Sequence, residues 1–352
     1  MAAALDFTKF VFDTEEIRAI NQLAFDEVVK SPEIQNLVTF YPGIVYDKEI
    51  GFVGRGGLVG KASQGCNPTA DAWSISTRKV KWTPKQWSIR IEQCAKDLES
   101  TAAVYSLKTG TSYDDFTASD YMNVVLEVLA QSMKEFIIRF VFFNDTTEKT
   151  FADGGQLKNG LDIAYFTIND GIFKQAQIQI TANADQRVTI TENAGASYAA
   201  QKLVAANVKD TYLPSLVDNA DDRIAQMGNV AIFCTNSFYK AYKASLRGIQ
   251  LESALALLQN GVKTLTYDGV PLLPIPTWDL IINAYYNNGT KRVNPHRALY
   301  VSKDIIAFGV DSESSYSDFD VFYDKKSKLN IIDVEGKGDS KILNPELFML
   351  AI

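Results

Sequence analysis

The sequence TASDYMNVVLEVLAQSMKEFIIRFVFF runs from Thr117 to Phe143 and predicts one long helix. Thr117 can act as the N-cap residue, and Asp120 three positions later can complete a capping box. Polar side chains recur at every fourth position and predict one solvent-facing stripe, formed by Asn123, Glu127, Gln131, Glu135 and Arg139. The other faces are apolar and carry Tyr121, Val124, Val125, Val128, Leu129, Phe136, Ile137 and Phe140. At about 1.5 Å per residue, this core helix would be roughly 40 Å long.

The long helix is too strongly charged to cross a membrane. Glu127, Lys134, Glu135 and Arg139 all lie inside the span, and a charged side chain is costly in the hydrocarbon region of a bilayer. The sequence therefore predicts a helix that is buried in the protein's own core, and it predicts no membrane partner.

The composition is that of a globular protein with a sizeable core. The chain has 352 residues, of which 46% are hydrophobic and 22% charged, and this length allows two or three structural units. The net charge of −7 does not favour binding to nucleic acid through the overall field of the protein. The three cysteines, Cys66, Cys94 and Cys234, include no CxxC pair, so neither a disulfide framework nor a zinc site is expected and a reducing cytoplasm fits best.

Helices and strands are interleaved without a regular βαβ rhythm, which predicts an α+β fold. The patterns predict helices over residues 15–30, 94–106, 197–223, 237–248 and 251–258. They predict strands over residues 176–182, 187–192 and 230–235, a hairpin around Asp268-Gly269, and a strand, turn and strand over residues 297–311. They predict further strands from residue 318 to the end, with a turn at Gly336–Gly338.

The residues that most enzymes need are missing from the sequence. The single histidine, His296, excludes sites that require two histidines, and the GxSxG motif of serine hydrolases is absent. The glycine-rich run from Glu49 to Gly65 fails as a P-loop, because Arg55 and Ala62 stand where glycine and Ser or Thr are required. No catalytic residue, cofactor site or metal site is therefore predicted.

A basic and aromatic stretch follows this glycine-rich run. Residues 73–91 alternate in a way that predicts two strands of one long hairpin, broken near Pro84 and without a core of its own. Such a hairpin could bind single-stranded nucleic acid by stacking and phosphate contacts, or it could be an arm that contacts another protein. The acidic chain favours the arm. The candidate contact residues are Arg55, Lys61, Trp73, Arg78, Lys79, Lys81, Trp82, Lys85 and Trp87.

The order of these parts resembles a known family, the major capsid proteins of tailed double-stranded DNA bacteriophages with the Hong Kong 97-type (HK97-like) fold. The residues that carry the resemblance are HRALYVSKDIIAFGVD from His296, the segment from Asp318 to Ile352, and LDIAYFTINDGIFKQ after the long helix. The resemblance covers nearly the whole chain in order, although its individual motifs are weak.

The resemblance implies a division of the chain into four parts. They are an N-arm over residues 1–45, an extended loop or E-loop over 46–92, a peripheral P-domain over 93–195 and 312–352 with the long helix as its spine, and an axial A-domain over 196–311.

The resemblance also implies a structural function. Copies of the chain would self-assemble into hexamers and pentamers of an icosahedral shell, which encloses the phage double-stranded DNA without sequence-specific binding. Portal, separate scaffolding and auxiliary capsid proteins would be partners, and the shell would form in the cytoplasm of a bacterial host and become part of the virion. An encapsulin-type compartment and a nucleic-acid-binding protein that uses residues 73–90 are the alternatives.

Charge predicts how the subunits would meet. Residues 1–45 hold three basic and seven acidic residues, a balance of −4, whereas residues 46–96 hold nine basic and four acidic residues, a balance of +5. The basic loop is therefore expected to lie on an acidic surface of a neighbouring copy.

Overall fold

The computed structural model describes residues 32–53, 77–94, 131–247, 255–257, 263–311, 319–324 and 329–352 of the chain. Three predicted helical stretches lie outside this part of the chain: the helix over 15–30, residues 95–106 of the helix over 94–106, and residues 117–130 of the long helix. Cys94, predicted as the first residue of the second helix, is instead the last residue of a strand.

The described elements are strands and short helices in alternation. The strands are β1 (Thr39–Tyr41), β2 (Lys48–Val53), β3 (Thr77–Trp82), β4 (Lys85–Cys94), β5 (Arg187–Val188), β6 (Val230–Cys234), β7 (Leu255–Leu257), β8 (Lys263–Tyr267), β9 (Val270–Pro274), β10 (Ala298–Ser302), β11 (Ile306–Val310), β12 (Phe319–Asp324), β13 (Leu329–Ile342) and β14 (Phe348–Ala351). The α-helices are α1 (Pro32–Gln35), α2 (131–138), α3 (Ile172–Ala182), α4 (Ala205–Asn207), α5 (Leu213–Asp218), α6 (Asp222–Ala225), α7 (Asn236–Ser245) and α8 (Pro276–Tyr285). Wider π-helical turns cover Arg139–Phe143 and Val208–Tyr212, and 3₁₀ turns cover Phe151–Asp153, Ile163–Tyr165, Ala184–Gln186, Thr191–Ala194 and Lys303–Ile305. This mixture confirms the predicted α+β class.

The described end of the long helix is a core element, as predicted. Helix α2 continues directly into the π-turn Arg139–Phe143, and Ile137 and Phe140 are each 1% exposed. Arg139 differs from its predicted place on the solvent-facing stripe, because its side chain is only 12% exposed. Its guanidinium lies 3.6 Å from Glu135 and 5.2 Å from the centre of the Phe166 ring. A carboxylate and an aromatic face have replaced water around this cation, and its burial lowers the pKa of Arg139.

A seven-stranded sheet holds most of the core, in the order β5-β14-β10-β6-β9-β8-β7. All residues of β10 and β14 are buried, and β6 confirms the strand predicted over 230–235. Because β14 pairs with β10, the segment 312–352 divides between two sheets, with its last strand beside elements that were assigned to the A-domain. The division of the chain into domains remains a prediction.

A second sheet is built on β13. Strand β4 follows one edge of β13 from Leu329 to Gly338, while β12 and β11 follow the other edge in succession. Gly338 pairs with Lys85 on one side and with Val310 on the other, and β1 adds to β11 in parallel. The turn predicted at Gly336–Gly338 is therefore wrong, because these glycines lie inside one continuous strand.

Three other sequence predictions need correction. Residues 176–182 belong to helix α3 and not to a strand, because Ile172, Ala176 and Ile180 form a buried helical stripe while Ile178 is 57% exposed. The helix predicted over 251–258 is also wrong, since β7 pairs with β8 there. The helix predicted over 197–223 is broken into shorter pieces, and its chain widens into a π-turn just before Pro214, which has no amide hydrogen to donate.

Two other turn predictions from local sequence are confirmed. Strands β8 and β9 form the expected hairpin, and Asp268 and Gly269 have φ values of 48° and 77°, as a two-residue hairpin turn requires. Residues 297–311 form a strand, a 3₁₀ turn and a strand, although β10 and β11 enter different sheets. Helix α7 confirms the helix predicted after residue 236.

Substitution of Phe142 tests whether the end of the long helix is part of the hydrophobic core. Its ring lies 5.0 Å from that of Trp278 and 5.9 Å from that of Phe173, and only 1% of the residue is exposed. Phe142→Ala should lower the free energy of unfolding of the unassembled protein by about 3–5 kcal/mol, because it leaves a cavity among these rings. The control Gln131→Ala changes an exposed residue of α2 and should stay within about 0.5 kcal/mol of the wild type in urea denaturation. Equal effects of the two changes would contradict the orientation of the helix.

Candidate subunit interface

A two-stranded sheet is set apart from the two larger sheets. Strands β2 and β3, called here the strand arm, pair antiparallel from Lys48↔Trp82 to Val53↔Thr77. Within the described residues, these two strands pair only with each other. The single long hairpin predicted over residues 73–91 is therefore wrong in its pairing, because β3 pairs with β2 and β4 pairs with β13. At Thr83 and Pro84, between β3 and β4, the chain therefore passes from pairing with β2 to pairing with β13.

One face of the strand arm is charged and solvent-exposed. Lys79 lies 3.2 Å from Glu49, and Lys81 lies 3.0 Å from Asp47. All four side chains are more than half exposed, and the hydrogen bond and charge of Asp47 raise the pKa of Lys81. Exposed ion pairs of this kind contribute little to stability and exchange partners readily. Both lysines are thus accessible to solvent, and each lies beside an acidic side chain of its own chain.

The two described tryptophans of the predicted contact set are buried inside the chain. Trp82 is 0% exposed and packs with Ile44, Ala307 and Leu343. Trp87 is 4% exposed, and its ring lies 5.0 Å from that of Phe136. The area that these two residues bury lies within the subunit and not between subunits, which differs from their predicted role.

The other predicted contact residues fall into two groups. Lys79, Lys81 and Lys85 are exposed, and Arg78 lies in β3 opposite Phe52. Arg55, Lys61 and Trp73 lie outside the described residues. Lys79 and Lys81 are thus exposed on the arm, whereas both described tryptophans are buried.

His296 is buried and hydrogen-bonded through both ring nitrogens. The residue is 7% exposed, with its Nε2 2.6 Å from the backbone oxygen of Gln201 and its Nδ1 2.7 Å from the hydroxyl of Ser237. Because a carbonyl oxygen can only accept, Nε2 carries the proton and Nδ1 accepts from Ser237. Burial lowers the pKa of His296. The neutral imidazole of His296 therefore connects its own segment to those of Gln201 and Ser237 by hydrogen bonds.

A small polar cleft lies near the end of the long helix and was not evident from the sequence. It contains Arg297, which is 4% exposed and lies 5.0 Å and 4.7 Å from the ring centres of Phe143 and Phe173. Burial lowers the pKa of Arg297 to about 10. The cleft also contains Glu148 and the Lys174–Asp145 ion pair, and its volume of about 30 Å³ is that of one or two water molecules. It is far smaller than a pocket for an organic substrate. No spacing signal marks Arg297, because its partners are distant in sequence.

The described part of the chain holds neither a metal-binding cluster nor a membrane-spanning helix. Within the described ranges, no group of three or more His, Cys, Asp or Glu side chains could hold a metal ion. No helix in those ranges is both long and apolar enough to cross a membrane.

The environment of His296 predicts a pH dependence of stability. An unfolded histidine has a pKa of about 6.5, whereas the pKa of the folded residue is lower. The unfolded chain therefore binds the proton first as the pH falls, so this contribution to stability is complete above about pH 6.5 and is lost below it. The thermal midpoint should fall between pH 7.5 and pH 5.5, and His296→Gln should reduce that fall, since the chain has no other histidine. The same pH slope in both proteins would contradict a buried neutral imidazole.

Comparisons with known proteins give a likeness in fold. No family model matches the chain, and no curated protein matches its sequence. Most of the similar solved structures are phage capsid proteins. The satellite phage P4 procapsid matches at 9% identity and a TM-score of 0.49, over 96% of this chain and 98% of that chain. The capsid of the native GTA particle matches at 9% identity and a TM-score of 0.48, over 91% and 89%. The holo-SrpI encapsulin complex from Synechococcus elongatus PCC 7942 matches at 11% identity and a TM-score of 0.42, over 91% and 87%.

Proposed function

We propose that this protein is the structural subunit of a closed shell, the major capsid protein of a tailed double-stranded DNA bacteriophage. Copies of the chain assemble into hexamers and pentamers, and the shell encloses the DNA without reading its sequence. The role is structural and not enzymatic. The observation that carries the proposal is the strand arm, a two-stranded sheet that pairs with neither larger sheet in the described residues and exposes its charged face.

A two-stranded sheet has little stability in isolation. Independent stability normally requires at least three strands over a hydrophobic face, or packing on another element. Glu49, Gly51, Lys79 and Lys81 are all exposed on the arm, and in the described residues the outer edges of both strands are unpaired. An arm of this kind is stabilised when another surface covers it. In a symmetric homo-oligomer, that surface belongs to a second copy of the same chain.

Nucleic-acid binding by residues 73–90 has less support than subunit contact. Single-stranded nucleic acid needs exposed aromatic rings on which bases can stack. Trp82 and Trp87 are buried, and Lys79 and Lys81 already lie beside carboxylates. These four residues therefore do not offer a stacking platform with free cations.

The proposed shell would form one part of a larger phage particle. Portal, scaffolding and auxiliary capsid proteins are the expected partners, and the bacterial cytoplasm is the expected site of assembly before the shell becomes part of the virion. Each of these follows from the proposed capsid role and is open to the same tests.

Electron microscopy of the purified, concentrated protein is the direct test of the shell. The expected result is closed particles of uniform size with hexameric and pentameric units. Particles that package DNA in the presence of the phage packaging proteins support the capsid, whereas particles that retain a protein cargo and no DNA identify an encapsulin-type compartment. A stable monomer at high concentration, with salt-dependent binding to single-stranded DNA, would contradict both kinds of shell.

The charges of the strand arm predict opposite effects for two variants. The triple change of Arg78, Lys79 and Lys81 to Glu should block assembly, because the arm would repel an acidic neighbouring surface. The change of Asp47 to Asn together with Glu49 to Gln removes the accompanying acids and should accelerate assembly at low salt. About 1 M salt should slow the wild type, since it shortens the Debye length to roughly 3 Å. Light scattering measures these rates. A slower rate in both variants would mean that the ion pairs act within the arm and not toward a neighbour.

A further inference from the structure

The strand arm joins the second sheet through two links, residues 42–47 after β1 and residues 83–84 before β4. The second link is the shorter one. Trp82 is the last residue of β3, Thr83 and Pro84 follow, and Lys85 begins β4. Strand β4 then runs along β13 from the pair Lys85↔Gly338. The direction in which the arm leaves the subunit therefore depends on how Trp82 and Thr83 are held.

Gly309 of β11 makes room for the Trp82 ring. A Cβ atom at Gly309 would lie 2.6 Å from Cζ3 and 2.8 Å from Cε3 of Trp82. These distances are shorter than carbon atoms tolerate, so any side chain at this position would displace the ring. The ring is fully buried and also packs on Ile44 and Leu343. A glycine inside a strand often marks such a close approach, and here the approaching group is the root of the arm.

Asp339 of β13 holds the next residue. Its Oδ2 accepts a hydrogen bond from the backbone N–H of Thr83 at 2.8 Å and lies 3.2 Å from Nζ of Lys341, while its Oδ1 accepts from the N–H of Ser340 at 2.9 Å. The residue is 2% exposed, and burial raises the pKa of Asp339. Burying a carboxylate is costly unless it is hydrogen-bonded on its oxygens. A carboxylate fits here because each of its two oxygens accepts from a different backbone N–H group.

Gly309 and Asp339 are direct cross-strand partners. One residue pair of the second sheet thus contacts two successive residues at the root of the arm. The Trp82 ring lies over the glycine of this pair, and the Thr83 amide donates to its carboxylate. Two contacts at one point fix both the position and the direction of the chain, which a single contact would not do.

We propose that the Gly309–Asp339 pair is the receptor that orients the strand arm, and that Asp339 is a positioning residue for contact with a second copy of the chain. The part that concerns subunit contact rests on the proposed function. The receptor holds the arm ready in one direction, so that assembly does not have to order it at the moment of contact.

Hydrogen exchange of the unassembled chain, read by mass spectrometry, tests the receptor. Asp339→Ala and Gly309→Ala should each speed exchange of the β2 and β3 amides by about tenfold or more, while the β6 amides stay unchanged. Asp339→Asn should fall between the wild type and Asp339→Ala, because an amide oxygen can still accept from Thr83 but its NH₂ group cannot accept from Ser340. The matched control for exchange is Gly51→Ala within the arm, where a Cβ atom would have no neighbour within 4 Å in the unassembled chain, and it should leave exchange of the β2 and β3 amides unchanged.

The same variants are then assayed for assembly. Asp339→Ala and Gly309→Ala should assemble more slowly than the wild type, with Asp339→Asn in between. If hydrogen exchange of the β2 and β3 amides is unchanged in Asp339→Ala, the Gly309–Asp339 pair does not orient the arm. If exchange of the β6 amides becomes faster by the same factor, Asp339 stabilises the whole subunit and not the arm in particular. A loosened arm with a normal assembly rate would overturn the positioning role. If the wild type forms no particles, the proposed function fails, and arm exchange alone decides whether the receptor exists.

Discussion

The extended course of β13 is the constraint on which the second sheet and the strand arm depend. At about 3.3 Å per residue, its fourteen residues span roughly 46 Å, and three other strands take their register from it. Gly338 pairs with β4 and β11 at once, so a turn at this point would separate the two strands between which the arm is rooted. Gly336 cannot carry a side chain, because the Trp87 ring occupies the space where it would be, 2.4 Å from the Cβ position.

The long helix is tied to the same strand by buried polar side chains. Asn144, directly after the π-turn, donates to Asn169 at 2.9 Å, and Asn169 donates to the hydroxyl of Ser340 at 3.0 Å. All three residues are at most 2% exposed, where an unsatisfied polar group would be costly. Gln175 of α3 adds two bonds to β13, through the Ser340 oxygen and the Ile342 amide. The end of the helix is thereby fixed beside Asp339, and through Asp339 beside the root of the strand arm.

The tryptophans show how a local pattern can be correct and its interpretation wrong. Trp82 and Trp87 alternate with basic residues, which is typical of both an interface and a nucleic-acid surface. What decides between exposure and burial is the strand against which each ring packs, and for both rings that strand offers a glycine at the contact, Gly309 of β11 for Trp82 and Gly336 of β13 for Trp87. These glycines lie more than 200 positions later in the chain. A sequence pattern around the tryptophans carries no information about them.

The sequence by itself determined the elements whose signals are local. The apolar stripe at Ile137 and Phe140, the Asp268-Gly269 hairpin and the α+β class all follow from side-chain periodicity and turn chemistry over a few residues. Only the tertiary structure decided the features that depend on long-range pairing. Residues 176–182 alternate like a strand, yet they are helical because their buried stripe faces β13 and the end of the long helix. The buried Arg297, the continuous β13 and the receptor for Thr83 arise where distant segments meet, and water is excluded there only after those segments have packed together.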